Sequence, residues 1–132
     1  MDEIRVFYRG KMAFEAQARQ HRLAIDLSQE KGGTDSAMTP PEIFAASLGS
    51  CVGVYVAKYC ERARLDTQDM DIRVSWKLAA DNKSIGTIDI GLSLPHAEVG
   101  KREAALLEVA RHCLIHETIV RPPDIRISFD KG

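Results

Sequence analysis

The sequence predicts an α+β protein in which two helices pack on antiparallel sheet, with the element order β-β-β-α-β-β-α-β. Three observations support this prediction. Apolar and polar residues alternate in short stretches along much of the chain, and a period of two is typical of strands. A long apolar stretch with a helix-start signal begins near residue 40. A second stretch, beginning near residue 100, repeats its apolar positions with helical spacing.

The first three strands are predicted to form an antiparallel meander because only short connections separate them. Alternation covers residues 4–9, 12–18 and 23–27, and Gly10-Lys11 marks the first turn. The polar, glycine-containing residues 30–36 then predict a loop before the first helix.

The first helix has a clear start signal. Thr39 is a good N-cap, Pro40 suits the first helical position, and Glu42 stands three residues after Thr39, as in a capping box. We expect the helix to run from about 40 to about 63. Its middle is apolar or small on nearly every face, so we expect it to be buried all round, with a partner subunit covering part of it.

Two longer strands follow the first helix. Alternation over residues 72–78 and 88–94 predicts a hairpin, and the polar residues 81–84 between them predict its turn. Pro95 is expected to end the second of these strands.

The second helix is predicted from about Gly100 to His112 or slightly beyond. Its apolar positions follow the spacing i, i+3, i+4, i+7 and end at Cys113. Pro122-Pro123 should stop regular structure, and the alternation of residues 125–129 predicts a last strand.

Composition limits the class of protein. A chain of 132 residues suits one domain over residues 1–132, and 45% apolar with 28% charged residues is typical of a globular protein. A net charge of −1 without a long basic run argues against a nucleic-acid partner. The first residues do not resemble a secretory signal, and the nearly apolar stretch 43–57 is shorter than the ~20 residues that span a bilayer. We therefore expect a cytoplasmic protein with no membrane partner.

The three cysteines could carry redox chemistry or simply fill the core. An odd number of cysteines in a non-secreted chain argues against a disulfide framework. Cys51 and Cys113 both fall on predicted apolar helices, and two thiols brought together can do reversible two-electron chemistry. The alternative for each is a small core residue. Cys60 is expected to be structural because nine helical steps put it on the far face and ~13 Å from Cys51.

Other polar residues are open to two interpretations. The capping box alone explains Glu42, and a functional role requires Glu42 of one subunit to reach the site of another. His112 and His116 have a spacing that could hold a metal, but no third ligand is recognisable, and they equally suit a helix C-terminus. An arginine close to Cys51 would lower the pKa of that thiol. The candidate arginines on the early strands are Arg5, Arg9, Arg19 and Arg22.

Two segments of the sequence resemble a known family. The residues GGTD at 32–35 and TPPEIFAASLGSC at 39–51 closely resemble the first-cysteine motif of the OsmC/Ohr family. The residues HCLI at 112–115, ahead of a Pro-Pro pair and a final strand, look like the second-cysteine region. The order of elements and the distance between the cysteines also match, so the resemblance covers nearly the whole chain.

The resemblance implies an intertwined homodimer in which two antiparallel sheets surround central helices and the active sites lie at the subunit interface. It also implies a thiol peroxidase that reduces organic hydroperoxides to alcohols. In that case Cys51 is the peroxidatic nucleophile, Cys113 is the resolving thiol, and an external dithiol is the reductant. No metal or organic cofactor is then needed.

The sequence departs from the best-characterised branch of the family at one position. There the catalytic glutamate precedes the cysteine by ten residues, whereas here that position is Pro41 and Glu42 is one residue closer. This spacing resembles the broader OsmC-like branch. Glu42 and an arginine, with Arg19 and Arg22 as candidates by region, are expected to orient or activate Cys51 across the interface.

Two other functions remain open at this point. One is a non-enzymatic OsmC-like stress protein or apolar-ligand-binding dimer whose cysteines line a pocket. The other, more weakly indicated, is a metal-binding dimer through His112 and His116.

Overall fold

A computed structural model describes residues 2–131 of the chain. This part contains two antiparallel sheets and three α-helices, which confirms the predicted α+β class. The chain divides into two compact units, residues 1–46 and 47–132. The single domain over residues 1–132 stays a prediction.

The first unit contains the predicted three-stranded meander, in the order β1-β2-β3. Ala16, in the central strand, lies opposite Val6 on one side and Leu23 on the other, and it is buried. The strands are β1 (Arg5–Tyr8), β2 (Phe14–Ala18) and β3 (His21–Ile25).

A buried carboxylate organises the loop that follows β3. Asp26 is only 1% exposed, and its oxygens accept hydrogen bonds from the backbone N–H groups of Leu27, Thr34 and Ser36. The hydroxyls of Thr34 and Ser36 donate to the same carboxylate at 2.8 and 2.7 Å. These bonds, that from the Ser36 hydroxyl foremost, hold the pKa of Asp26 far below its usual range.

Gly33 is required inside this loop. A Cβ atom at this position would lie 2.1 Å from the carbonyl oxygen of Leu27 and 2.6 Å from Oδ1 of Asp26. Both distances are far below van der Waals contact, so any side chain at position 33 forces the loop backbone to move.

The first helix, α1, spans Pro40–Ala63, as predicted. Its capping box is formed, because the Thr39 N–H donates to Oε1 of Glu42 at 2.8 Å and the Glu42 N–H donates to Oγ1 of Thr39 at 3.4 Å. The reciprocal bonds satisfy two donors at the helix start.

The single chain covers only part of α1, so complete burial of the helix with the help of a partner subunit stays a prediction. Burial follows one stripe, whereas Val54 on another face is 51% exposed. The stripe repeats every fourth residue, so it stays on one side of the helix. Its members are Leu48, Gly49, Val52, Gly53, Val56 and Cys60.

In the second unit, α1 packs closely on a hairpin of two strands, β4 (Asp71–Leu78) and β5 (Ile85–Ser93). A Cβ atom on Gly53 would lie 2.8 Å from Cδ1 of Ile72, and one on Gly49 would lie 2.9 Å from a Val74 methyl group. The small residues therefore let the helix backbone approach the strand.

By length and composition, α1 is long and apolar enough to cross a membrane, unlike the shorter stretch considered from sequence. The core helix of a soluble protein can have the same length and apolar composition, so one such helix is weak evidence for a membrane span. Here the side chains of Leu48, Val52 and Val56 are no more than 2% exposed and form the core of the second unit.

The predicted second helix is broken before Cys113. A single 3-10 turn, Gly100–Arg102, leads into α2 (Glu103–Arg111), and a further short helix, α3 (Leu114–Val120), was not predicted. Cys113 has an extended conformation (φ −69°, ψ 148°) and is the N-cap of α3. It therefore does not continue the apolar stripe of α2, although it is fully buried.

The last predicted strand, residues 125–129, is not formed in this chain. The segment pairs with neither sheet of the described residues. Its apolar side chains are almost fully exposed, at 77% for Ile125, 95% for Ile127 and 87% for Phe129. Alternation supplies a strand's side-chain pattern, but a strand also needs a neighbouring edge for its hydrogen bonds.

Candidate functional site: two neighbouring thiols

The second unit brings the thiols of Cys51 and Cys113 together. Cys51 lies on α1 and is partly exposed, whereas Cys113 is fully buried, and both are free thiols. Burial raises the pKa of Cys113, and a hydrogen bond with Cys51 and the charge of Cys51 raise it further. Cys51 also packs against the buried cluster that contains Cys113, so the two thiols lie near each other.

The junction between α2 and α3 holds Cys113 in place. The backbone N–H of His116 donates to Sγ of Cys113 at 3.3 Å, so the sulfur satisfies one of the free donors of the first turn of α3. The ring Nδ1 of His116 lies 2.7 Å from the carbonyl oxygen of Arg111. Because a carbonyl oxygen only accepts, the proton in this bond is on Nδ1. His116 thus ties the sulfur to the end of α2.

Cys60 is separate from this pair. Its side chain is completely buried in the core of the second unit. Burial raises its pKa, which favours the neutral thiol over the reactive thiolate.

The other predicted catalytic residues belong to the first unit. Oε1 of Glu42 accepts the N–H of Thr39 in the capping box. Arg22 lies on β3 opposite Gln17, and Arg19 lies in the turn between β2 and β3 with a φ of 57°. The catalytic role of Glu42 and the identity of the activating arginine stay predictions.

The two histidines considered as metal ligands have protein partners. Nε2 of His112 lies 2.8 Å from Oε1 of Glu108, and His116 bonds to the Arg111 carbonyl. Among residues 2–131, no three His, Cys, Asp or Glu side chains are grouped so that they could hold a metal ion.

An apolar cavity of about 190 Å³ is lined in part by Val52 and His116, which are neighbours of the two cysteines. Val52, which follows Cys51 in the chain, forms part of its wall, together with Leu92 and Leu107. Arg111 and His116 are its polar lining residues. Neither Cys51 nor Cys113 itself lines the cavity.

Sequence reasoning missed the role of Arg111 and His116. Cysteine is not among the side chains that usually mark an N-cap, and no Gly or Pro stands between α2 and α3. The apolar spacing therefore extended α2 through Cys113, and only the change of backbone direction at His112 and Cys113 reveals the junction.

The fold and the site define an α+β protein with two free thiols near each other, one partly exposed on a long core helix and one buried at a helix junction. The chain belongs to the OsmC-like family, because the model of that family, described as "OsmC-like protein", matches residues 33–128. This match confirms the resemblance seen in the sequence. A search of curated proteins found none that matches the chain.

Solved structures with the same fold come from several bacteria. A structure described as a "putative osmotic stress induced and detoxification response protein" from Psychrobacter arcticus superposes with a TM-score of 0.80 at 20% identity, over 89% of this chain and 88% of that one. The organic hydroperoxide resistance protein OsmC from Legionella pneumophila superposes with a TM-score of 0.62 at 18% identity, over 90% of this chain and 88% of that one. An OsmC-like hydroperoxide resistance protein from Jannaschia superposes with a TM-score of 0.58 at 23% identity, over 96% of this chain and 90% of that one. At such identities the likeness shows the fold alone.

Proposed function

We propose that this protein is a cysteine-based thiol peroxidase that reduces organic hydroperoxides to alcohols. The observation that carries the proposal is the proximity of two free thiols, since Cys51 packs against the buried cluster that contains Cys113. The names of the Legionella and Jannaschia proteins, which describe hydroperoxide resistance, add support for a role in peroxide stress.

Cys51 is the better nucleophile of the pair because its side chain is partly exposed. Its thiolate attacks one oxygen of the hydroperoxide, a sulfur–oxygen bond forms, and the O–O bond breaks. The departing alkoxide takes a proton and leaves as the alcohol. Sulfur is oxidised to sulfenic acid, and the peroxide is reduced by the same two electrons.

Cys113 suits the resolving role. Burial keeps it as a protonated thiol near Cys51. Its sulfur condenses with the sulfenic acid, so that a disulfide forms and the hydroxyl group leaves with the thiol proton as water. An external dithiol then reduces the disulfide by thiol–disulfide exchange. The apolar cavity lined in part by Val52 and His116 supplies space for the alkyl group of the substrate.

We propose further that the protein acts as a cytoplasmic homodimer in which Glu42 and an arginine activate Cys51 across the interface. The exposed apolar side chains of the 125–129 segment support a dimer, and so does Val54 on the uncovered face of α1. A second copy offers the sheet edge that the segment lacks in its own chain.

The test uses the reduced protein and cumene hydroperoxide without an added reductant. We expect one peroxide to be consumed for each pair of thiols lost, and mass spectrometry of peptides to find Cys51 joined to Cys113. The variant Cys60→Ala is the control, and it should behave like the wild type. A protein that consumes no peroxide, or that forms no disulfide between Cys51 and Cys113, contradicts the proposal.

Binding of an apolar ligand without catalysis is the second candidate function. The cavity of about 190 Å³, with its mostly aliphatic wall, favours it. The two candidates separate in the same experiment, because a binding protein leaves the peroxide and its own thiols unchanged.

A further inference from the structure

A second and larger cavity lies in the second unit, between the C-terminal half of α1 and α2. Its volume is about 710 Å³, which falls within the range typical of small-molecule sites, ~300–1,000 Å³. Aromatic and charged side chains from both helices line it. The six that matter here are Tyr55, Lys58, Tyr59, Arg62, Arg102 and His112.

Three of these side chains are cations without an acidic partner. Within residues 2–131, Lys58, Arg62 and Arg102 form no ion pair. Most basic side chains of residues 2–131 form no ion pair either, so these three are distinguished by their position around one cavity. The cavity therefore gathers positive charge that the protein leaves uncompensated.

Two of the three cations contact aromatic side chains of the cavity. Nη1 of Arg102 donates to the hydroxyl of Tyr59 at 3.5 Å, a bond that joins the start of α2 to α1. Nζ of Lys58 lies 5.9 Å from the centre of the Tyr55 ring, within the range of a cation–π interaction. The cavity thus combines flat apolar surface with positioned donors.

The acidic residue of the cavity does not cancel this charge. Glu108 also lines the cavity, but its carboxylate contacts Nε2 of His112 at 2.8 Å and Nη1 of Arg111 at 3.6 Å. The hydrogen bond and charge of His112, followed by the charge of Arg111, hold the pKa of Glu108 below its usual value. The carboxylate is therefore already paired with His112 and Arg111.

We propose that this cavity, named here the α1–α2 cavity, binds a small organic anion with a flat aromatic body, of the aryl carboxylate class. The carboxylate of the ligand accepts hydrogen bonds from Arg102, because a planar guanidinium group suits a planar anion. The positive charges of Lys58 and Arg62 attract the same carboxylate. The aromatic body lies against Tyr55 and Tyr59, where offset stacking is favourable. This binding is independent of the thiol chemistry.

The test is titration calorimetry of the reduced full-length protein with 1-naphthoate. We expect saturable binding with a Kd below about 1 mM, whereas the neutral analogue 1-naphthalenemethanol should bind about ten-fold more weakly or worse. The variants Arg102→Gln and Lys58→Gln should each weaken naphthoate binding by about ten-fold, because each removes one charge without emptying the cavity.

Two matched variants control the experiment. Lys101→Gln removes the neighbouring charge that does not line the cavity, and it should bind naphthoate as the wild type does. Cys51→Ser should abolish peroxide consumption and leave naphthoate binding unchanged, which separates this proposal from the proposed peroxidase. The proposal is overturned if the wild type does not bind naphthoate, if the neutral analogue binds equally well, or if Lys101→Gln and Arg102→Gln weaken binding alike.

Discussion

The backbone N–H of His116 donates to Sγ of Cys113 at 3.3 Å, so the sulfur proposed to resolve the sulfenic acid also caps a helix. Replacing Cys113 by Ser keeps a side-chain acceptor at the N-cap but removes the thiol. We expect Cys113→Ser to consume one peroxide and to stop at the sulfenic acid of Cys51, which dimedone labelling followed by mass spectrometry detects. Cys113→Ala should also lose the cap, at a cost of about 1 kcal/mol in stability. A Cys113→Ser protein that still forms an intramolecular disulfide with Cys51 would exclude the resolving role.

Glu42 can be tested separately as a cap and as a catalytic group. Glu42→Gln keeps an oxygen that accepts the Thr39 N–H, so helix stability should change by less than about 0.5 kcal/mol. If the negative charge contributes to activation of Cys51, the rate of peroxide reduction falls by about ten-fold or more. Thr39→Ala, the matched control, should lose about 1 kcal/mol of stability while its rate stays near that of the wild type. Equal rates for Glu42→Gln and the wild type would leave Glu42 with the capping role alone.

Asp26 is expected to make the fold sensitive to acid. Its pKa is depressed in the folded protein, so the folded state binds fewer protons than the unfolded state between the two pKa values. The stabilisation is therefore complete above the unfolded value of about 3.9 and is lost as the pH falls below it. Asp26→Asn should lower the free energy of unfolding at pH 7, and its deficit against the wild type should shrink in acid. Urea titrations over this pH range measure both effects.

The neighbouring Asp35 provides the control for this acid effect. It is exposed in the same loop, and no hydrogen bond to its carboxylate is found among residues 2–131. Asp35→Asn should keep the pH dependence of the wild type. Parallel stability curves for Asp26→Asn and the wild type would show that the buried carboxylate is not responsible.

Cys60 is expected to make the fold sensitive to alkaline pH, whereas Asp26 makes it sensitive to acid. Burial raises its pKa above the ordinary thiol value of 9.0, so the folded state keeps a proton that the unfolded state releases. The contribution is fully present below pH 9.0 and declines as the pH rises through and beyond that value. Urea titrations of the reduced protein should show the free energy of unfolding falling across this range, and the fall should be smaller in Cys60→Ala. Identical slopes for the two proteins would rule out the thiol as the cause.

Periodicity and capping signals predicted much of the fold. The start of α1 follows from Thr39, Pro40 and Glu42, whose local hydrogen bonds depend on neighbours in the sequence. Alternation located β4 because Ile72 and Val74, two positions apart, face α1 at Gly53 and Gly49.

What the sequence could not predict depends on contacts between distant residues. The role of Asp26 requires Thr34 and Ser36 to fold back onto it, and no spacing rule describes that loop. The proximity of Cys51 to Cys113 was implied only by the family resemblance, since the break before α3 has no sequence signal. The α1–α2 cavity was missed because its cations are ordinary surface residues until two helices bring them together.

The uncovered side chains of Ile125, Ile127 and Phe129 have a consequence for how stability is measured. If they enter the core of a second copy, folding and association become one equilibrium. The second copy then stabilises the folded state more strongly as the protein concentration rises. Each ten-fold dilution would then lower the apparent free energy of unfolding by about 1.4 kcal/mol of dimer. The melting temperature would rise with the amount of protein present, so that a cell producing more of the chain would also hold each copy more firmly folded.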